Sequence, residues 1–326
     1  MALRILSGMR PTGMLHLGNY FGAIQQFLAF QKQDCERFYF VADLHALTTQ
    51  SFPEAVNQAT LEITRGYLAC GLNPNLSAIY KQSSIAKIPC LALLLGMFTS
   101  ESWLRKCTTF KEKAEKQEIV SFGLLGYPVL MAADILIMNA NLVPVGHDQL
   151  QHLEMVRDIA QKFNANYQGS LLLPEAIKMK ALRVPGLDGK GKMGKSDQNF
   201  IGLFEDPKII EKKVQAAVTD SGDGENNKPS QPLENLFYLL HLVASEEVYQ
   251  KFWQMFESGQ RKFYGELKKE LAKQVIAFLD PFRARYFSKE ANLETAKEIL
   301  TQGAKKANPI AEQVFEKAYS RFQLEF

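Results

Sequence analysis

No two cysteines in this chain lie close enough to form a C-x-x-C element. Cys35, Cys70, Cys90 and Cys107 are spread along 326 residues, with no histidine at zinc-ligand spacing. A disulfide framework and a zinc site are therefore not expected, and the thiols read as reduced and mostly core-filling. Long apolar runs are missing too: none approaches the ~18 residues that a membrane span needs. The opening MALRILSGMRPTG has no apolar stretch of the secretory kind. A cytoplasmic, soluble protein with no membrane partner is the expectation. Charge of one sign is also scarce, because 38 Lys plus Arg face 35 Asp plus Glu for a net +3. That balance neither demands nor excludes a polyanionic partner. Residues 261–326 alone carry 13 basic and 9 acidic residues, a local bias of +4.

What is present is enough hydrophobic sequence, 46% of 326 residues, for a substantial core in two domains or one large domain with an appendage. The first half alternates short apolar runs, at residues 4–7, 38–42, 77–81 and 142–145, with helical patterns. This is the signature of a parallel sheet covered by helices. Phe21, Ile24 and Leu28 form one helical stripe, and residues 54–69 a second helix that ends at Gly71 with Pro74 beyond. After about Pro207 helical patterns dominate, at 208–218, 233–243, 246–256 and 261–279. The turn-rich 221–232, SGDGENNKPSQP, interrupts them as a loop.

A parallel sheet binds its ligand at the carboxyl ends of its strands, so the loop after the first strand matters most. It reads GMRPTGMLHLGNY. Gly8 and Gly13 permit sharp turning, Pro11 stiffens the turn, and Gly18 lets a ligand approach the first helical turn. The N–H groups of that turn face a phosphate favourably, and His16 and Asn19 add side-chain donors.

A second stretch, GKGKMGKSD at 189–197, fits both G-x-x-x-x-G-K-[ST] and G-x-G-x-x-G. A true P-loop follows a buried strand and opens a helix. Pro185 and Gly186 spoil such a strand, and Gly202 and Pro207 argue against such a helix, so both templates are set aside. A third feature lies in 126–154, where Tyr127, Met131 and Asp134 stand at i, i+4 and i+7. One helical face thus carries an aromatic ring, a thioether and a carboxylate. An Asp on so apolar a helix is costly without a partner.

His16-Leu17-Gly18-Asn19 resembles the HIGH signature of class I aminoacyl-tRNA synthetases, in the form typical of tryptophanyl-tRNA synthetases. Lys192-Met193-Gly194-Lys195-Ser196 is then their KMSKS signature with Gly at the centre, and 126–154 resembles the corresponding stretch of the bacterial enzymes. The resemblance spans essentially the whole chain. It implies an α/β fold: a Rossmann-like, doubly wound parallel sheet over 1–200, binding ATP and tryptophan, and a mainly helical anticodon-binding region over 201–326. It implies activation of L-tryptophan with ATP and Mg²⁺, transfer to tRNA(Trp), and a homodimer. Lys192, Lys195, His16 and Asn19 would serve catalysis. Arg10, Pro11, Thr12, Gly18, Asn19, Gly146, His147, Asp148 and Val184 would lie along ATP, with Lys192, Met193, Gly194, Lys195 and Ser196 closing over it. His45, Tyr127, Met131, Asp134, Val143 and Gln149 would hold tryptophan.

The chemistry of this family gives these residues sense. The amino-acid carboxylate attacks the α-phosphorus of ATP, and lysines on a closing loop stabilise the charge that moves onto pyrophosphate. Indole offers one donor and no acceptor. A buried Asp134 would satisfy that donor, and losing such a pairing discriminates by a factor on the order of 10⁴ to 10⁵. Tyrosine, whose hydroxyl also donates, is not excluded by this argument. Tyrosyl-tRNA synthetase and a noncatalytic, RNA-binding paralogue are the alternatives. Three residues depart from the pattern of many relatives: Arg10 for Gln, His147 for Glu and Gly194 for Ser. Phe263, Tyr264, Phe282, Arg283, Arg285 and Tyr286 mingle aromatic and basic character suited to RNA, although such aromatics are more often core.

Overall fold

The computed structural model describes residues 3–48, 52–115, 120–146, 149–169, 171–178, 182–219, 228–259 and 263–323. Five strands, β1 (Arg4–Met9), β2 (Glu36–Val41), β3 (Ala78–Lys81), β4 (Leu142–Val145) and β5 (Glu175–Lys178), form one sheet in the order β3-β2-β1-β4-β5. Every pair is parallel, with Leu6 opposite Phe38 and Phe38 opposite Ala78. Successive side chains of a strand point to opposite faces. In β2, Phe38 and Phe40 enter one apolar cluster, while Tyr39 and Val41 enter another across the sheet. Both faces are covered, which is why ERFYFV reads as a nearly continuous apolar run rather than an alternating one.

The helices follow from these two faces. α1 (Leu17–Asn19) runs through a π-helical turn (Tyr20–Ile24) into α2 (Gln25–Phe30); α3 (Asp43–Ala46) is a single turn, and α4 is Pro53–Ala69. α5 (Lys87–Gly96), α6 (Glu101–Leu104), α7 (Thr108–Ala114), α8 (Phe122–Ile137) and α9 (Leu150–Tyr167) come next. Beyond the sheet lie α10 (Pro207–Gln215), α11 (Gln231–Val243), α12 (Glu246–Glu257), α13 (Tyr264–Tyr286) and α14 (Leu293–Tyr319). Their starts are chemically marked. Asp206, Ser245 and Asn292 accept backbone N–H bonds at the heads of α10, α12 and α14, the usual N-cap role. Proline opens α4, α10 and α11, where its missing N–H costs nothing. Pro232, expected in the 221–232 loop, is thus inside the first turn of α11.

Two placements differ from expectation. β5 gave no clear strand signal because it is a polar edge: Glu175 and Ala176 are exposed. The mixed aromatic and basic run near the C-terminus belongs largely to packing. Phe263 and Phe282 are buried, Tyr286 stacks on Phe204 and bonds Glu62, and Arg285 Nε donates to the Ala69 carbonyl at 2.6 Å. Phe263 and Phe282 are therefore core residues, whereas Arg285 stays exposed at the surface and Tyr264, Arg283 and Tyr286 are half-buried. α14 returns to lie along β3, and a Cβ on Gly303 would fall 1.8 Å from the Ile79 carbonyl oxygen.

The chain lays down β1, β2 and β3 outward, then comes back to place β4 on the other side of β1. That reversal leaves a crevice at the carboxyl ends of β1 and β4, the place where open parallel sheets bind ligands.

Candidate active site

A cavity of about 250 Å³ opens at that crevice. Ser7, Gly8 and Arg10 enter it from the end of β1, Val143 and Val145 from β4, and Tyr127, Met131, Asp134 and Ile135 from α8. His45, Gln149 and His152 complete its polar wall. Six residues expected to hold an amino acid, His45, Tyr127, Met131, Asp134, Val143 and Gln149, therefore share one lining.

Asp134 is 1% exposed. Gln82 Nε2 donates to both of its carboxylate oxygens, at 2.8 and 2.9 Å, and His45 Nε2 lies 2.9 Å from Oδ2. Burial pushes the Asp134 carboxyl up, and the bonds from His45 and Gln82 oppose that rise. Gln82 is itself fully buried, and its Oε1 accepts from the His45 N–H at 3.3 Å. One amide thus fixes both the carboxylate and the start of α3. Spacing along α8 cannot reveal this partner, which comes from another element. Position could have done so: Gln82 directly follows β3, at the same carboxyl edge that singled out the first loop. On the opposite wall Tyr127 Oη is 2.6 Å from His152 Nε2 and 3.0 Å from Cys107 Sγ, a cluster that no spacing had suggested.

The two signature loops touch. A Cβ on Gly13, whose φ of +109° suits glycine, would stand 3.7 Å from the Cδ and Nζ atoms of Lys195. One on Gly18 would meet the His16 ring at 2.9 Å and Met193 Cβ at 3.7 Å. The segment after the second loop is strapped antiparallel to the first, with Leu17 N–H donating to the Ile201 carbonyl at 3.0 Å and Leu203 N–H to the Leu15 carbonyl at 2.9 Å. Asn19 Oδ1 accepts from His16 N–H at 3.0 Å. Burial, with Lys195 nearby, holds the His16 imidazole down to about 4, so the ring is neutral near pH 7. Burial also brings the Lys195 ammonium down to about 8. These shifts come from low-dielectric surroundings that disfavour charge until an anion arrives.

The 189–197 run is neither a P-loop nor a dinucleotide turn. Among the described residues no strand leads directly into it, Pro185 forming just an isolated bridge with Lys192 of the run itself, and the next helix after it opens at Pro207. Met193 is buried and its N–H donates to the Val184 carbonyl at 2.8 Å, so Val184 supports the loop from beneath. Lys192 and Ser196 are exposed and Lys195 is half-buried. Asn199, a residue that sequence reasoning passed over, bonds the loop backbone at Gly194 and Lys192. A Cβ at Gly194 would meet Asp197 Oδ2 at 3.4 Å, an ordinary contact, so no crowding demands glycine there. Arg10 lines the cavity three residues before Gly13, and burial lowers its guanidinium. Pro11 is buried, Thr12 exposed, and Gly146 accepts the Gln149 N–H at 3.0 Å. His147 and Asp148 lie outside the described residues.

Residues 1–280 match the family described as tRNA synthetases class I (W and Y). A tryptophan--tRNA ligase of Porphyromonas gingivalis is 45% identical over 313 residues, covering 94% of this chain and 95% of that protein. The tryptophanyl-tRNA synthetase of Campylobacter jejuni, solved with ADP and tryptophan, superposes with a TM-score of 0.87 at 36% identity over 99% of this chain and all of that one. A tyrosyl-tRNA synthetase of Archaeoglobus fulgidus gives a TM-score of 0.67 at 20% identity, over 87% of this chain and 90% of that one, which is a likeness of fold alone. On these matches the chain belongs to the class I tRNA synthetases of the tryptophan and tyrosine group.

Proposed function

We propose that this protein is a tryptophan--tRNA ligase. It joins L-tryptophan to ATP, releasing pyrophosphate, and then passes the tryptophanyl group to the terminal ribose of tRNA(Trp). The observation that carries the reading is the buried Asp134 carboxylate, already oriented by Gln82 and His45 in a cavity otherwise walled largely by apolar side chains. Its remaining acceptor capacity suits the single indole N–H, and phenylalanine would leave it unmet. Tyr127 and Gln149 flank the place of the α-amino group.

In the first step a tryptophan carboxylate oxygen forms a bond to the α-phosphorus, while the bond to pyrophosphate breaks and its electron pair leaves with pyrophosphate. Lys195 and Lys192 meet that growing charge, and neutral His16 with Asn19 donates to the phosphates. Arg10, Pro11, Thr12, Gly18, Gly146, Val184, Met193, Gly194 and Ser196 shape the nucleotide side, with His147 and Asp148 assigned there by resemblance. Mg²⁺ comes in on the ATP phosphates, whose oxygens and water suit its demand for hard ligands. In the second step a ribose hydroxyl attacks the activated carbonyl carbon and AMP departs.

The reading extends to assembly and place. Leu93 on α5, Met97 at its C-cap and Phe122 at the head of α8 are 63%, 69% and 85% exposed. α5 buries Ile88, Leu91 and Leu95 on its other side and packs on α8, so these three residues extend an apolar surface outward, fitting a homodimer. The 201–326 segment is assigned to the tRNA anticodon and 1–200 to catalysis, in the cytoplasm. Pyrophosphate exchange into ATP, run with each of the twenty amino acids, tests the reading: tryptophan alone should drive it. Exchange with tyrosine instead would overturn the specificity, and none with any amino acid would favour an RNA-binding regulator.

A further inference from the structure

We propose that the side-chain amide of Asn199 is a positioning residue for the activation step, clamping the loop so that Lys192 and Lys195 are preset for the departing phosphate. This rests on the reading of the 192–196 loop given above.

Asn199 is 4% exposed. Its Oδ1 accepts the Gly194 N–H at 2.8 Å and its Nδ2 donates to the Lys192 carbonyl at 3.3 Å. Those backbone groups lie on either side of Met193, so one side chain grips both flanks of a single loop residue. The same side chain helps hold the neighbouring Asp188 carboxyl below its usual range. The Asn199 carbonyl in turn accepts the Leu187 N–H at 2.9 Å. A Cβ on Gly186 would fall 2.1 Å from Nδ2, so the amide sits in a closely fitted place. A buried amide with each group engaged is specified far more tightly than a loop surface residue, because any unmade bond leaves a desolvated polar group.

The need for such a clamp follows from composition. Gly189, Gly191 and Gly194 give the run GKGKMG wide backbone freedom. Two lysines on so free a segment lose rate through misplacement, since an error of about 1 Å in a catalytic group costs on the order of 10²-fold. Met193 anchors the loop's base near Gly18. At position 194 no side chain restrains the peptide, and Gly194 N–H, immediately before Lys195, is the atom that Asn199 holds. The clamp supplies through a hydrogen bond the restraint that a side chain at 194 would supply through its bulk.

The test is a double-mutant cycle on the full chain, read by tryptophan-dependent pyrophosphate exchange, with tryptophan binding measured by equilibrium dialysis. Asn199→Ala should lower kcat on the order of 10²-fold while tryptophan affinity changes less than about twofold. In a Lys195→Ala background the same change should cost at most a few-fold, since interacting residues are non-additive. Adding Gly194→Ala, for which there is room, should recover part of the rate in Asn199→Ala by narrowing the freedom of that peptide. Asn199→Ser replaces Asn199→Ala in the cycle if the latter unfolds. A kcat within about twofold of the parent in either Asn199 variant, or fully additive losses with no recovery from Gly194→Ala, would overturn the clamp. Full exchange in Lys195→Ala would instead fault the reading of the loop.

Discussion

Asp134 and Gln82 divide one task between them, and substituting each should give a different signature. Asp134→Ala should erode discrimination between tryptophan and phenylalanine while ATP binding persists; unchanged competition by phenylalanine would remove Asp134 from that role. Gln82→Ala leaves Asp134 less fixed and removes a buried partner, a loss of roughly 1–3 kcal/mol. It should weaken tryptophan binding about tenfold or more with the KM for ATP little altered, and equal rises in both constants would refute a role confined to the amino-acid side. Lys195 adds a pH dependence. Its ammonium is held down to about 8, and the charged form is the one that serves pyrophosphate. The pH profile of kcat/KM reports free-enzyme groups, so kcat/KM for ATP should fall as pH rises through about 8. Lys195→Arg should keep the charge and move that fall upward; a flat profile from pH 7 to 9 in the parent would contradict the assignment. At this scale the sequence disclosed Asp134, the two lysines and His16, because motif and helical spacing are local. It hid Gln82, Asn199 and His152, whose relevance depends on which other element they meet.

Elements were readable in proportion to their apolar periodicity. β1 to β4, α4, α10 to α12 and the start of α13 stood out within a few residues. α13 runs on to Tyr286 rather than stopping at residue 279 because Pro281 is accommodated within it. β5 and the short α3 and α6 went unread, for a four-residue polar edge strand or single helical turns carry too few residues to show a period. The tight seat of α14 was invisible as well, because Gly303 in a helix suggests only a modest helix penalty. Against Ile79 it is a close backbone crossing. Gly303→Ala should therefore destabilise the chain by about 1–3 kcal/mol through overpacking, far above that penalty. Urea denaturation monitored by circular dichroism measures it, and a change below about 0.5 kcal/mol would show that α14 can slide away from β3.

The whole molecule brings together loops that are far apart in sequence, and the homodimer proposed above would use its exposed apolar residues on α5 and α8. Leu93→Glu combined with Met97→Glu should convert dimers to monomers in light scattering, with far-ultraviolet dichroism preserved. A parent chain that is already monomeric at micromolar concentration would overturn the homodimer. Fold class was evident from strand alternation, but the packing of the last helix against the third strand was not, because nothing along 293–319 names its partner. That packing has a temporal consequence. On the ribosome, β3 emerges more than two hundred residues before the helix that covers it, and the strap at Leu15–Leu17 likewise waits for Ile201–Leu203. Such distant pairings form slowly, and uncovered apolar surface invites aggregation meanwhile. Nascent chains of this protein should thus depend on chaperones until synthesis is nearly finished, and truncation within α14 should harm solubility before it harms chemistry.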